Sequence, residues 1–157
     1  MIRVIGKTKN DINIYMSFVS DKHMEAHPIP DAVLKEAISK IEYHDHFELF
    51  EVKFDRVIGK CSLVKVDEHD TVEYYRRKGR FGETPFVKKD PIDTDSIVVG
   101  ICNSFTNLEL PTIFTAFYGN KSLPEPWDRN IKTEEDRRAS EKFWSEHALC
   151  YDESIIA

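Results

Sequence analysis

The residue types best suited to chemistry in this 157-residue chain are clustered arginines and scattered histidines. Arg76-Arg77-Lys78-Gly79-Arg80-Phe81-Gly82 sets four cations among two glycines. Forked guanidinium donors on a flexible turn can clasp two oxygens of one phosphate, and loops carried on rigid strands often hold such sites. Arg76 and Lys78 would add binding charge beside Arg77 and Arg80. The competing reading is an exposed hairpin tip whose charge serves solubility. His23 and His27 spell H-x-x-x-H, a spacing that puts both imidazoles on one face of a helix. A zinc protease needs glutamate directly after the first histidine. Met24 stands there, Glu25 comes one place late and Pro28 cuts the turn short. A metal-free general acid or base is the sharper role, since imidazole titrates near neutrality, and no metal or cofactor is expected. His44-Asp45-His46 with Glu51 forms H-x-H-x4-E, a fragment of a cupin metal motif. Ile38 stands where its leading glycine belongs and Gly59 falls one place late, which leaves a cupin a minor alternative. Trp127, between Pro126 and Asp128, either plugs the edge of a core or stacks on an unpaired base.

Thr115-Ala116-Phe117-Tyr118-Gly119, Pro124-Glu125-Pro126-Trp127-Asp128, Phe143-Trp144 and His147-Ala148-Leu149 follow one another along the chain. This order resembles a small family of phage-associated and bacterial proteins with TAFxG, PEPWD, FW and HAL motifs, in the phage branch of the barnase, EndoU, colicin and RelE-like ribonuclease superfamily. The resemblance runs from about His23 to Leu149. It implies a metal-independent endoribonuclease, in which the ribose 2′-hydroxyl attacks the adjacent phosphate. That reaction needs a base, a cation or donor for the phosphorane, and an acid for the leaving oxygen. The family's arginine pair, separated by two residues, is matched by Arg77 and Arg80. Thr115 in TAFxG would donate to the scissile phosphate, against the plainer reading of a buried threonine bonded to a neighbouring strand. His147 in HAL would compete with His23 and His27 as the acid, against the plainer reading of a histidine held by a helix dipole. The resemblance further implies a phage-linked or toxin-type effector, with RNA as substrate and an inhibitor or antitoxin protein as partner. A second reading stays open: a non-catalytic phage accessory or immunity-like protein whose acidic surface engages a basic partner.

The elements that must position these residues follow from periodicity. Residues 12–19 are β-branched and aromatic, as a strand requires. After Pro28-Ile29-Pro30-Asp31, the apolar set Val33, Leu34, Ala37, Ile38 and Ile41 falls on one face of a helix. From Phe50 the period becomes two, with Phe50, Val52 and Phe54 facing one way. Short strands are expected around Cys61–Val66 and Thr71–Tyr75. Two apolar runs, Ile97–Ile101 and Ile113–Phe117, should be neighbouring central strands covered on both faces. Thr133 before Glu134, Glu135 and Asp136 marks a helix start, with Ala139, Phe143, Trp144 and Ala148 as its buried stripe and HAL at its end. The expected class is α+β: a mainly antiparallel sheet of about five to seven strands flanked by an N-terminal and a C-terminal helix, in a single ribonuclease-like domain spanning 1–157.

Composition sets the outer limits. With 41% apolar and 32% charged residues the chain reads as globular. Every apolar run is far shorter than the ~20 residues of a membrane span. Met1-Ile2-Arg3-Val4 runs into polar sequence, so no leader is expected. Cys61, Cys102 and Cys150 are odd in number and widely spaced, which suits reduced thiols in the cytoplasm. The net charge of −6 opposes wholesale nucleic-acid binding. The charge is unevenly spread, however: residues 53–89 carry 10 basic and 6 acidic side chains, a net of +4 inside an acidic protein.

Overall fold

The computed structural model describes residues 2–23, 28–103 and 109–157. In chain order the elements are β1 (Ile2–Lys7), β2 (Asn13–Ser17), α1 (Phe18–His23), α2 (Asp31–Ile38), β3 (Glu48–Lys53), β4 (Gly59–Cys61) and β5 (Leu63–Lys65). These are followed by β6 (Val72–Arg76), β7 (Glu83–Val87), β8 (Ile92–Thr94), β9 (Ser96–Cys102), β10 (Thr112–Tyr118), α3 (Glu134–Glu146), β11 (His147–Cys150) and a 3-10 turn, Glu153–Ile155. The class is α+β. The chain divides into two compact units, Met1–Gly59 with Thr94–Lys121, and Lys60–Asp93 with Ser122–Ala157. Among the described residues the strands form three sheets in place of one: five strands in the order β1-β2-β10-β9-β3, four in the order β5-β11-β7-β6, and the pair β4-β8. The helices do not bracket the chain as expected, since two strands precede α1 and α2, and α3 runs into β11.

In the first unit, the two apolar runs do become neighbouring strands, with Ile113 opposite Ile101 and Phe117 opposite Val98. Strand β9 is buried along its whole length, which is why no charge interrupts it. Strand β10 is covered less completely, with Phe117 at 37% exposure. Helix α2 begins after Pro30, whose fixed φ suits the entry. It buries Leu34, Ala37 and Ile38 in one cluster with Ile14, Met16, Ile97, Val99 and Ile113. Tyr43 is fully buried; its hydroxyl donates to Asn103 Oδ1 at 2.5 Å. Burial pushes its phenol up to about 12. The expected strand over residues 12–19 stops at Ser17, because the chain turns there into α1.

The second unit holds two strands that its sequence conceals. Strand β7 contains Pro85, which normally argues against a strand. It is tolerated because β11 pairs with β7 only at Phe86 and Val87; on the other side Pro85 stands opposite Tyr74 of β6. HAL is likewise a strand and not a helix end: β11 pairs antiparallel with β5, Ala148 opposite Val64. The start of α3 is as expected, with Thr133 Oγ1 accepting the Asp136 N–H at 3.0 Å. Its buried stripe differs. Ala139 is exposed and Ser140 and Trp144 are the buried positions, because this helix packs by donating hydrogen bonds to loop carbonyls. Among the described residues, no helix is long and apolar enough to cross a membrane.

Candidate functional site

The turn between β6 and β7 carries the basic cluster. Gly79 adopts φ 77°, the left-handed region that lets the chain reverse without strain, and the Arg80 N–H donates to the Arg77 carbonyl at 3.1 Å. The base of the turn is zipped to residues 155–157. Lys78 N–H donates to the Ile155 carbonyl and Ala157 N–H to the Arg76 carbonyl, both at 2.9 Å, and Arg77 bridges Ile156.

The two arginines of the expected pair behave differently. Arg77 is 24% exposed and turns inward: its Nε–H donates to Thr84 Oγ1 at 3.1 Å, and its Nη2 meets Glu125 Oε2 at 2.8 Å. The carboxylate and hydroxyl fix the guanidinium plane, so the Nη1 donors keep one orientation. Arg76, Lys78 and Arg80 are exposed. Among the described residues, their side chains make no hydrogen bond or ion pair.

Next to them lies an edge-to-face aromatic pair. Phe81, 56% exposed, meets Trp127 edge-on at 5.0 Å, and the Arg129 guanidinium sits 4.7 Å from the Phe81 centroid. Trp127 Nε1–H donates to the Glu83 carbonyl at 3.0 Å. Its indole lies so close to Gly82 that a Cβ there would overlap the ring, which accounts for the glycine. The PEPWD loop that supplies Trp127 is pinned from α3. Ser140 Oγ donates to the Pro124 carbonyl at 2.6 Å, Trp144 Nε1 to Leu123 at 3.0 Å and Arg137 Nη1 to Pro126 at 3.3 Å.

Glu125 of the same loop is 4% exposed. Its Oε2 takes the Arg77 hydrogen bond, and among the described residues its Oε1 is the buried side-chain polar atom with no hydrogen-bond partner. In the sequence Trp127 stands out from this motif and Glu125 does not. Two prolines flanking a glutamate were the available signal, since they present a charged side chain on a stiff loop.

His147 opens β11 and is half-buried. Its ring stacks on Phe143 at 4.0 Å with planes 10° apart, and Nδ1 lies 2.8 Å from the Phe143 carbonyl. A carbonyl can only accept, so Nδ1 carries a proton, and whenever the ring is neutral Nε2 holds the lone pair. That is the tautomer a general base needs.

Thr115 and His23 belong to the first unit. Thr115 lies opposite Gly100 where the β9–β10 register slips, a bulge of the kind that redirects side chains. It is half-buried, and among the described residues its hydroxyl makes no hydrogen bond. His23 closes α1. His27 lies outside the described residues. In the H-x-H-x4-E stretch, His44 pairs with Glu42 and His46 with Glu48, each at 3.5 Å, while Glu51 accepts the Lys121 N–H at 2.6 Å. Among the described residues, no three of His, Cys, Asp and Glu gather as metal ligands. The Cys150 thiol is buried and its pKa is pushed up, as expected of an unreactive cysteine. Compared with protein-family models, curated proteins and solved structures, the chain matches none.

Proposed function

We propose that this chain is a ribonuclease-like protein of the cytoplasm that holds single-stranded RNA on the basic, aromatic face of its second unit and cleaves it without a metal. The observation that carries the reading is the β6–β7 turn. Exposed Arg76, Lys78 and Arg80 adjoin an exposed Phe81 backed by Trp127 and capped by Arg129. Cations that track a phosphate backbone beside an aromatic face for an unpaired base are what single-stranded nucleic acid requires. A duplex would keep its bases stacked away from Phe81.

Arg80 supplies exposed donors to the phosphate, and Arg77 supplies donors already fixed by Thr84 and Glu125. The Nε2 lone pair of His147 suits proton transfer. Thr115, His23 and His27 remain candidates from the sequence resemblance, and RNA holding on the second unit does not depend on them. The test is incubation of purified protein with single-stranded RNA in EDTA. Cleavage with a 2′,3′-cyclic phosphate end is the expected result, with Arg80→Ala slower by roughly 10²–10³ as for loss of one oxyanion donor.

A second reading draws on α3, whose first turn presents exposed Glu134, Glu135 and Asp136. These acids suit a basic protein partner. Intact RNA after exposure to well-folded protein, together with binding to such a partner, would favour this reading over cleavage.

A further inference from the structure

Glu125 is a buried carboxylate held at one oxygen only. Leaving a charged acceptor without a donor is costly, and buried polar groups in folded proteins are nearly always bonded. Here the cost falls on a residue held in place by its surroundings. The loop is tied to α3 through Leu123, Pro124 and Pro126. Arg77 anchors Oε2 to β7 through Thr84. Two residues further on, Trp127 is fastened to the Glu83 carbonyl of the same strand and forms the edge-to-face pair with Phe81. An orphan acceptor fixed this firmly, two residues before one ring of the aromatic pair, has the properties of a recognition group.

We infer that Glu125 Oε1 is the hydrogen-bond acceptor for the exocyclic amino group of a nucleobase that stacks at Phe81 and Trp127. The inference rests on the RNA reading above and adds to it a base preference. Arg77 neutralises the carboxylate, so the acceptor suits a neutral N–H donor better than a second cation. Adenine N6 and cytosine N4 are amino donors on the edge where uracil presents a carbonyl and where guanine, whose own amino group is N2, also presents one; two acceptors facing each other repel. Oε1 is buried. The base therefore reaches it only as the groups over it give way, an induced change of local extent.

The experiment measures binding of the full chain to eight-nucleotide RNAs at fixed salt: oligo(C), oligo(A), oligo(U), and analogues in which the cytosine or adenine amino group is replaced by hydrogen. Phosphate contacts set a common baseline for all of them. The wild-type protein should bind at least one amino-bearing oligomer about tenfold more tightly than both oligo(U) and its own amino-free analogue, the scale of one well-placed base contact. Glu125→Gln, of the same shape, should bring that ratio to about one or invert it in favour of uracil. The analogue comparison uses the wild-type chain alone, so it decides the matter even where the variant fails to fold. Equal binding of oligomers with and without the amino group would overturn the inference while leaving RNA binding intact, as would a preference that survives in folded Glu125→Gln. No binding to any oligomer would defeat the RNA reading itself, and the inference with it.

Discussion

Arg77 and Arg80 share a turn and a chemistry, yet the structure gives them very unequal stability costs. Arg77→Ala removes the one partner that a 4% exposed carboxylate has among the described residues. Both oxygens of Glu125 are then unpaired in a buried place, and breaking a buried pair this way costs about 3–5 kcal/mol. Arg77 itself is 24% exposed. Water can therefore enter where the guanidinium was, which puts the expected loss near the lower end, about 3 kcal/mol. At a urea dependence of about 2 kcal/mol per molar, the unfolding midpoint should fall by roughly 1.5 M. Arg80→Ala deletes an exposed side chain with no partner among the described residues and should move the midpoint by less than about 0.5 kcal/mol equivalent. The paired variant Arg77→Met with Glu125→Leu should recover most of the loss, because hydrocarbon can replace a buried ion pair at little cost. Urea titrations followed by circular dichroism on the wild type and the three variants suffice. Equal costs for Arg77→Ala and Arg80→Ala would refute the buried-pair reasoning, as would a double variant weaker than Arg77→Ala alone.

Other consequences are as direct. Gly82→Ala should cost roughly 1–3 kcal/mol, because its Cβ overlaps the Trp127 indole, and should alter the near-ultraviolet tryptophan signal; a neutral substitution contradicts the packing. Deleting residues 155–157 removes the carbonyl that receives the Lys78 N–H and the N–H that meets the Arg76 carbonyl. The Lys78 amide should then lose protection in hydrogen exchange, and unchanged protection would mean this strap does not hold the turn. Asp70 accepts from Lys89 at 2.6 Å and from the Asp67 N–H at 2.8 Å, chiefly the Lys89 bond holding its pKa below the ordinary 3.8. Its folded pKa being depressed, the stabilisation is present above 3.8 and is lost as pH falls through the lower folded value. Asp70→Asn should flatten that acid limb of the stability profile, and an identical limb in both proteins rules the linkage out.

The legible parts of the chain were those where one periodicity served one environment. The run 97–101 announced itself because β9 is enclosed on both faces, and Leu34, Ala37 and Ile38 because α2 meets its core with a single stripe. Thr133 gave the start of α3 for the same local reason. Where tertiary pairing overrode local preference, the pattern misled. Pro85 hid β7, and the short β11 continued the helical register of Phe143 and Trp144 until its ladder with β5 fixed it as a strand. Nor can a single pattern of strands disclose that they sort into three sheets, since that depends on long-range partners. At the site, the sequence pointed to the cations of the turn and to Trp127. It could not separate the inward Arg77 from the outward Arg80, because the difference is made by Glu125, distant in sequence and adjacent in space.

One spectrum tests whether the second unit's basic turn and aromatic pair hold RNA. The chain has two tryptophans, Trp127 in the pair and Trp144 on α3, and each indole N–H donates to a backbone carbonyl at 3.0 Å. Their two indole signals in a ¹⁵N–¹H correlation spectrum therefore report on different places in comparable environments. Titration with a single-stranded RNA octamer should shift the Trp127 indole and the amides of Arg76–Gly82 while the Trp144 indole stays in place. Saturating RNA that leaves Trp127 unmoved, or that moves Trp144 and the first turn of α3 instead, would contradict the account.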